Sequence, residues 1–362
     1  MSRPLVLGAG PAGSMAAMLL ARGGAEPILI DRDAEVGDAL CGGFMSWRTA
    51  ARLQNAGLEL ADLGAQRVTR LALYAGRREA HAQLPEQGYG LSRHALDTRM
   101  RAMAVEAGAQ LEIDRAREVS CSGIGGVIVG ERQDWRSDTI FLASGKHDVR
   151  RLSRPRVNDD SALGIRMRIP GNPELAQLVG DAIELHFFPG GYAGIVLQED
   201  GAANICLALR KSLLAEAGGT PRALLLTLGE AHPAFGKRIA HAAQDLPIQT
   251  IGAVPYGWIA RDTVPGLFRL GDQAAVIPSL AGEGMAIALA SAENAVAHWL
   301  AGGASQAENY QRAFAAEALR PVKTAKAIWS LAETRHGGQL ITAAANLAPP
   351  LANMAMRASR IG

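Results

Sequence analysis

The sequence predicts an α/β protein in which a parallel sheet covered by helices is interrupted by an antiparallel sheet and followed by a helical C-terminal segment. Three observations predict this class. A glycine-rich turn joins an apolar strand to a helix near the N-terminus, residues 182–209 alternate with the period of a strand, and an alanine-rich helical pattern begins at Gly284. The glycine-rich turn between a strand and a helix predicts the parallel sheet, and the alternation predicts the antiparallel sheet.

The composition is that of a globular protein able to bury a large core. Of the 362 residues, 48% are hydrophobic and 20% are charged, and the formal net charge is +2. These values exclude disorder, collagen and coiled coil. The near-neutral balance offers no concentrated basic surface, so no nucleic-acid partner is expected. The length predicts about two domains.

The cysteines and the hydropathy pattern set expectations about compartment and membrane. Cys41, Cys121 and Cys206 are far apart and odd in number, so a reducing, cytoplasmic location is the simplest interpretation. The histidines show no HxH or HExxH spacing, and no metal site is expected. The best late candidate for a spanning helix, residues 342–358, is broken by two prolines, so no transmembrane segment is expected.

The N-terminal elements follow the order strand, glycine turn, helix, strand. Residues 4–8 (PLVLG) and 27–31 (PILID) are short apolar runs typical of buried strands. Residues 14–22 between them are predicted to form a helix that ends at two glycines. This order is a βαβ unit, which favours parallel strands covered by helices.

The turn in this unit has the spacing of a dinucleotide-binding motif. Residues 8–13 (GAGPAG) fit GxGxxG. In such a turn, Gly8 permits the tight bend, Gly10 lets the backbone approach a pyrophosphate and Gly13 allows close helix packing. Asp31, at the end of the second strand, is placed to accept hydrogen bonds from an adenosine ribose. The alternative is a glycine-rich turn beside an ordinary surface aspartate.

A second group of motifs lies late in the chain. Residues 138–145 and 267–272 return to the buried-strand pattern, and a long helix is predicted from Gly284 to Leu300. The carboxylate of Asp272 follows a strand and can bind a ribityl hydroxyl, while N–H groups at residues 282–284 can face the pyrimidine end of a flavin. The alternative is a strand-ending turn with a helix-capping aspartate. These features favour FAD over NAD.

Residues 182–209 predict an antiparallel sheet, because aliphatic residues alternate along them and glycine turns occur at residues 189–191 and 200–201. We expect this sheet to face an apolar substrate, with Tyr192 as one wall and Ile195 toward the cavity. The alternation also allows Ile195 to lie in the core behind the sheet.

The motifs resemble those of FAD-dependent oxidoreductases with the p-hydroxybenzoate hydroxylase fold, and within them the geranylgeranyl reductase-like branch. VLGAGPAGSMAAMLLA (6–21) and LGDQAAVIPSLAGEGMAIALASAENA (270–295) are similar to the family's two flavin motifs. LSRHALDTRMRAMAVEAGA (91–109) resembles its middle helix, which implies that Arg93 contacts the flavin. The triplet CGG at residues 41–43 resembles the branch's loop near the flavin.

The resemblance implies a Rossmann-like FAD-binding domain with an inserted antiparallel β-sheet substrate domain and a helical C-terminus. The expected divisions are an FAD-binding domain of residues 1–75, 93–155 and 262–310, a substrate domain of residues 76–92 and 156–261, and a helical segment of residues 311–362.

The site expected from these motifs contains many cofactor contacts and few candidate catalytic groups. The expected cofactor-binding residues are Gly8, Gly10, Pro11, Ala12, Gly13, Asp31, Arg32, Cys41, Gly42, Arg93, Gly145, Gly271, Asp272, Pro278, Gly282, Gly284 and Met285. No catalytic acid or base is assigned, and Cys41 and Tyr192 are the candidate flavin-proximal side chains. The alternative for Cys41 is a buried, unreactive thiol.

Two departures from the family's motifs affect the expected chemistry. Where the hydroxylases carry ADGxxSxxR, residues 143–150 read ASGKHDVR, so Ser144 replaces the aspartate associated with FAD and pyridine nucleotide binding. We therefore expect slow or absent direct reduction by NADH or NADPH. Where the prenyl reductases carry PxGYxWxFP, residues 189–197 read PGGYAGIVL, without the tryptophan. This departure argues against prenyl reduction.

The sequence leaves three functions open, in this order. A flavin monooxygenase would hydroxylate an apolar aromatic or polyketide-like small molecule. A reductase or dehydrogenase would act on an isoprenoid-like double bond, which the CGG triplet favours. A non-enzymatic flavin-binding protein is disfavoured, because both flavin motifs and a separate sheet are present. By default we expect the apolar C-terminal segment to pack on the protein's own core; the alternatives are capping the substrate cavity and peripheral contact with a membrane.

Overall fold

The computed structural model describes residues 3–122, 125–155, 160 and 162–361. Its strands, in chain order, are β1 (Leu5–Leu7), β2 (Ile28–Asp31), β3 (Phe44–Met45), β4 (Gln66–Ala75), β5 (Arg78–Gly90), β6 (Gln110–Ile113), β7 (Glu118–Ser122), β8 (Gly125–Val129), β9 (Asp134–Ser137), β10 (Ile140–Leu142), β11 (Ala162–Ile169), β12 (Ala182–Phe188), β13 (Gly191–Leu197), β14 (Ala203–Arg210), β15 (Ile248–Val254) and β16 (Leu267–Arg269). Its helices are α1 (Pro11–Arg22), α2 (Trp47–Asn55), α3 (Arg93–Glu106), α4 (Pro173–Val179), α5 (Lys211–Glu216), α6 (Pro221–Ala231), α7 (Pro233–Ile239), α8 (Gly284–Gly302), α9 (Ala307–Ala332), α10 (Gly337–Leu347) and α11 (Pro349–Ala358).

The first sheet is parallel and contains the predicted N-terminal βαβ unit. Among the described residues it has five strands in the order β16-β10-β1-β2-β6. Strand β1 pairs in parallel with β2 and with β10, and its three residues are buried, as expected for a parallel sheet covered on both faces. Helix α1 begins at Pro11 rather than Ser14, since proline is well suited to the first helical position.

The second sheet is larger and mixed. Its described strands have the order β15-β11-β14-β13-β12-β4-β5-β3. The antiparallel pairing of β12, β13 and β14 confirms the prediction from the alternation, while β4 and β12 pair in parallel. Because β4 belongs to this sheet, sheet membership favours a domain boundary before Gln66 rather than after residue 75. The division into domains remains our proposal.

The two faces of this sheet bury different side chains. On one face Ile195, 0% exposed, packs in a core cluster with Phe235 of α7. On the other face Tyr192 packs with Trp329 of α9. The expectation that Ile195 faces the substrate is therefore wrong, because the alternation places Tyr192 and Gly194 on one side of β13 and Ile195 on the other.

The C-terminal segment is helical, as predicted, and returns to both sheets. Ala345 of α10 packs in the same cluster as Leu71 and Leu73 of β4. After α11 the chain returns to the buried cluster that contains Val6 of β1 and Met15 of α1, where Ile361 is 0% exposed. Among the described helices, none combines the length and apolar character needed to cross a bilayer.

Candidate functional site

A cavity of about 740 Å³ lies where the parallel strands end against the second sheet. Residues that follow β1, β10 and β16 form one side of it, at 10–12, at 143, 145 and 146, and at 270–272. Ligands of open α/β sheets bind beyond the carboxyl ends of the strands, and this volume is in the range of small-molecule sites. Position and size both identify this cavity as the candidate site.

The structure divides the expected cofactor residues into two groups. Those that line the cavity are Gly10, Pro11, Ala12, Cys41, Gly42, Arg93, Gly145, Gly271, Asp272, Gly282, Gly284 and Met285, together with the candidate Tyr192. Those that do not line it are Gly8, Gly13, Asp31, Arg32 and Pro278. In the part of the chain that the structure describes, no group of three or more His, Cys, Asp or Glu residues is placed to hold a metal ion.

Two glycines of the N-terminal motif are required by packing. Gly8 has φ +102°, and a Cβ there would lie 2.5 Å from the carbonyl oxygen of Ala143. A Cβ at Gly13 would lie 1.7 Å from the carbonyl oxygen of Gly8. No side chain fits at either position, so these two glycines set the shape of the turn from which α1 starts.

Other glycines leave open space beside the cavity. A Cβ at Gly42, Gly145 or Gly284 would meet no atom within 4 Å, and at Gly10 it would approach only Nη2 of Arg93, at 3.4 Å. At these glycines no side chain covers the backbone, so a pyrophosphate and a flavin ring can approach it closely. The residues present fit FAD.

Asp31 lies beside the glycine turn rather than in the cavity wall. Its Oδ2 accepts from the backbone N–H of Ala9 at 2.6 Å, and its Oδ1 accepts from that of Asp33 at 3.0 Å. Arg101 Nη2 lies 3.4 Å from Oδ1. The carboxylate is thereby held at the end of β2, and we propose that it binds the ribose. Arg32 is exposed and pairs with Asp33.

Arg93 places a positive charge in the cavity wall. Its Nε and Nη2 donate to the two carboxylate oxygens of Asp97, at 2.8 and 2.6 Å. Burial lowers the pKa of Arg93, but the Asp97 carboxylate more than offsets this effect, so the net pKa is raised. The charged guanidinium lies next to the open backbone of Gly10, which supports our proposal that it contacts the cofactor.

The loops after β10 and β16 are tied together by Arg154, which the sequence motifs did not identify. Arg154 is buried, donates to the carbonyl oxygens of Asp272 at 3.0 Å and Lys146 at 2.8 Å, and pairs with Asp148 at 2.7 Å. Lys146 lines the cavity and donates to the carbonyl oxygen of Leu40 at 2.8 Å. These bonds fix two loops that we propose contact the cofactor.

The loop at residues 41–43 is held from the second sheet. Asn204 donates from Nδ2 to the carbonyl oxygens of Cys41 and Gly42, at 3.0 and 2.8 Å. Arg166 donates from Nε to Oδ1 of Asn204 at 2.6 Å and pairs with Asp38. Sequence reasoning missed Arg166 and Asn204. The available signal was a polar residue inside a strand of alternating aliphatic residues.

Two thiols line the cavity. Cys41 is partly buried, and the N–H of Gly43 donates to its Sγ at 3.5 Å. Cys206, opposite Gly194 in the pairing of β13 and β14, was not among the predicted site residues. Burial raises the pKa of Cys206 to about 12, so it lies in the wall as a neutral thiol. A reactive role for Cys41 stays a prediction.

The far half of the cavity is apolar and leads to the surface. Its walls include Leu73 of β4, Leu185 of β12 and Ile341 of α10. Leu331 and Leu340 also line the cavity, although they are 42% and 56% exposed. Because these two leucines face both the cavity and the solvent, the mouth lies at the C-terminal helices.

The end of the chain anchors these helices to the loop before α8. Arg360 donates to the carbonyl oxygen of Ala281 at 2.7 Å, pairs with Glu283, and lies over the Trp47 ring at 4.6 Å. Glu283 is 0% exposed, and burial raises its pKa despite the guanidinium beside it. The segment after α11 therefore supports the same loop that contributes Gly282 to the cavity.

Comparison of the sequence with known proteins gives a matching family and a curated relative. The FAD binding domain family matches residues 2–126. Digeranylgeranylglycerophospholipid reductase 2 of Methanopyrus kandleri (strain AV19) is 30% identical over 297 residues, which cover 78% of this chain and 72% of that protein.

Solved structures with the same fold cover almost the whole chain. A geranylgeranyl bacteriochlorophyll reductase-like protein from Thermoplasma acidophilum superposes with a TM-score of 0.69 at 20% identity, covering 97% of this chain and 98% of its own. The flavin-dependent brominase Bmp2 superposes with a TM-score of 0.75 at 15% identity, covering 98% and 92%. At these identities the similarity shows the fold.

Proposed function

Because this chain belongs to the geranylgeranyl reductase branch of the FAD-dependent oxidoreductases with the p-hydroxybenzoate hydroxylase fold, we propose that it reduces a carbon–carbon double bond of an isoprenoid-like chain. One observation carries the proposal. At one end the cavity of about 740 Å³ is lined by glycines whose backbone no side chain covers. At the other end its walls are aliphatic and its mouth is apolar. A long hydrocarbon gains free energy by leaving water for such a space.

The residues of the chain would bind and orient the two reactants. Gly10 and the start of α1 would hold the pyrophosphate, Asp31 the ribose and Asp272 the ribityl chain. FAD held by these residues would, in its reduced form, supply the hydride for reduction of the double bond, and a proton from solvent would complete the addition of two hydrogens. Leu73 and Leu185 exclude water from the substrate half of the cavity.

The mouth of the cavity supports entry of the substrate from a lipid surface. Exposed apolar side chains continue from Leu340 at the mouth to Leu347, 87% exposed, and Met354, 64% exposed, on α10 and α11. Arg335 and Arg357, both exposed, flank these positions with positive charge. An apolar surface bordered by basic residues binds membranes that contain anionic lipid. We propose that this surface contacts the membrane.

Hydroxylation of an apolar aromatic molecule is the second candidate. Hydroxyl groups of Tyr192, Tyr256 and Ser279 lie in the cavity wall, and such groups can orient a phenolic oxygen. The sequence alone ranked this function first. The 30% identity to a reductase now supports double-bond reduction more strongly.

Product mass distinguishes the two candidates. The FAD-loaded protein is reduced with dithionite, freed of excess reductant, and incubated with a phospholipid that bears geranylgeranyl chains, with and without oxygen. We expect each product to gain two hydrogens per reduced double bond in both atmospheres. A product that gains one oxygen, and only in air, would refute reduction. A sample of the protein stripped of FAD controls for reduction by residual dithionite.

A further inference from the structure

Three hydroxyl groups meet in the wall of the mainly apolar cavity. The Tyr192 hydroxyl on β13 donates to Oγ of Ser279 at 2.9 Å, and the Tyr256 hydroxyl lies 2.8 Å from the same oxygen. The indole of Trp329 stands edge-on to both phenol rings, with centroid distances of 5.8 and 5.7 Å. The rings are therefore fixed, and Ser279 bridges the two tyrosines.

A count of protons shows that this hydroxyl group cluster, Tyr192, Tyr256 and Ser279, retains one unused donor. Three hydroxyls carry three protons, and the two hydrogen bonds between them use two. If Tyr256 donates to Ser279, the Ser279 proton remains; if Ser279 donates, the Tyr256 proton remains. Neither hydroxyl donates to any other residue that the structure describes. Burial raises the pKa of both tyrosines, so the phenols keep their protons.

We infer that the unused O–H of this cluster is a binding subsite for a hydrogen-bond-accepting oxygen of the substrate, such as a carbonyl, quinone or phenolic oxygen. An acceptor oxygen placed there would form a hydrogen bond that an apolar group of the same size cannot make. The subsite deepens the proposed function and rests on it, because it adds a polar group to an otherwise apolar substrate.

The position of Ser279 places this subsite near the proposed flavin ring. Ser279 lies five residues before Gly284, which begins α8 and whose open backbone lines the same cavity. The side chain of Ser279 is exposed to the cavity. A hydrogen bond to an oxygen here would withdraw electrons from a double bond conjugated with it and so favour attack by hydride.

The test compares two probes of similar ring size, 2-methyl-1,4-naphthoquinone and 2-methylnaphthalene, which differ in their carbonyl oxygens. Each is titrated into the oxidised, FAD-loaded protein, and binding is followed by flavin absorbance. We expect the wild-type protein to bind the quinone about tenfold more tightly than the hydrocarbon. Equal affinity in the wild type overturns the subsite without reference to any variant.

Variants of the cluster test whether it retains one unused hydrogen-bond donor. Tyr192→Phe/Tyr256→Phe/Ser279→Ala removes every hydroxyl of the cluster while it keeps the rings, and we expect it to lose the preference for the quinone and retain affinity for the hydrocarbon. Tyr256→Phe alone leaves two hydroxyls and one hydrogen bond, so one donor remains and the preference persists. Tyr74→Phe is the matched control, since Tyr74 stacks on His186 and does not line the cavity.

Two results for the triple variant contradict the inference. A preserved preference for the quinone would show that the cluster does not recognise the oxygen. An equal loss of affinity for both probes would show that the cluster only shapes the cavity. Because these measurements need no turnover, they are independent of the product-mass experiment. A protein that binds both probes as expected and forms no reduced product would refute double-bond reduction and leave the subsite intact.

Discussion

Gly10 is the residue at which the cofactor contact can be tested with little damage to the protein. Its φ is −76°, which any residue can adopt, and a Cβ there would approach only the Arg93 side chain. We expect Gly10→Val to fold and to lose FAD, because the new side chain occupies the space of the pyrophosphate. FAD content and thermal melting of the purified variant provide the measurement.

The matched control for this substitution is Gly252→Val, at an exposed strand position where a Cβ meets no atom within 4 Å. It is expected to load FAD as the wild type does. A folded Gly10→Val protein with normal FAD content would remove the turn from the cofactor site.

Ser144 is the residue from which we predict how NADH and NADPH react with the bound FAD. Its hydroxyl donates to the carbonyl oxygen of His147 at 2.8 Å, so it closes a local turn where the related hydroxylases have an aspartate. We expect NADH and NADPH to reduce the bound FAD slowly or not at all, as anaerobic stopped-flow absorbance would show. Ser144→Asp restores the carboxylate as a comparison. Bleaching of the wild-type flavin within seconds by either nucleotide would contradict this expectation.

At the scale of elements, strand β12 and strand β13 separate a cavity face from a core face. Ile195 is buried against the helices behind the sheet, whereas Leu185 lines the cavity. We expect Ile195→Asp to destabilise the fold by about 4 kcal/mol or more, since it buries an unpaired charge. We expect Leu185→Asp to stay folded and FAD-loaded but to bind a geranylgeranyl lipid at least about tenfold more weakly.

Thermal melting and lipid affinity are measured in parallel for both variants. A stable Ile195→Asp protein, or a Leu185→Asp protein with wild-type lipid affinity, would show that the faces have been assigned the wrong way round.

The same strands show what sequence patterns could and could not predict. Period-two alternation correctly gave the antiparallel pairs, because spacing determines which residues share a face. It could not say which face meets the cavity, since both faces are covered by protein. On β13 and β14, Ile195 and Ile205 pack behind the sheet, while the cavity face holds Tyr192, Gly194 and Cys206. On these two strands the small and polar residues within the alternation were the better guide to the site, whereas on β12 the aliphatic Leu185 also lines the cavity.

The C-terminal helices α10 and α11 carry the proposed membrane surface. We expect the FAD-loaded protein to sediment with vesicles that contain anionic phospholipid, and Leu347→Glu/Met354→Glu to reduce the bound fraction several-fold, because the carboxylates resist desolvation. Leu226→Glu is the control, since Leu226 is 60% exposed on α6, whose buried leucines pack on the opposite face of the sheet. Equal loss of binding in both variants, or no binding by the wild type, would contradict the assignment.

For the whole molecule, local motifs predicted the fold and the cofactor better than they predicted the substrate side. The glycine turn and the segment after β16 each follow a strand, so their position in a parallel sheet could be inferred from sequence. Arg154, Asn204 and Arg360 act across long sequence separations through hydrogen bonds that no local pattern encodes. The cavity is completed by the last helices of the chain, which sequence periodicity assigned by default to the core.

The most direct test of double-bond reduction follows the flavin in the absence of oxygen. The FAD-loaded protein is reduced with a stoichiometric amount of dithionite under nitrogen and titrated with a phospholipid bearing geranylgeranyl chains. We expect the absorbance of oxidised flavin to return in proportion to the lipid added, because each reduced double bond takes two electrons from one flavin. A flavin that stays reduced until oxygen is admitted would contradict the account.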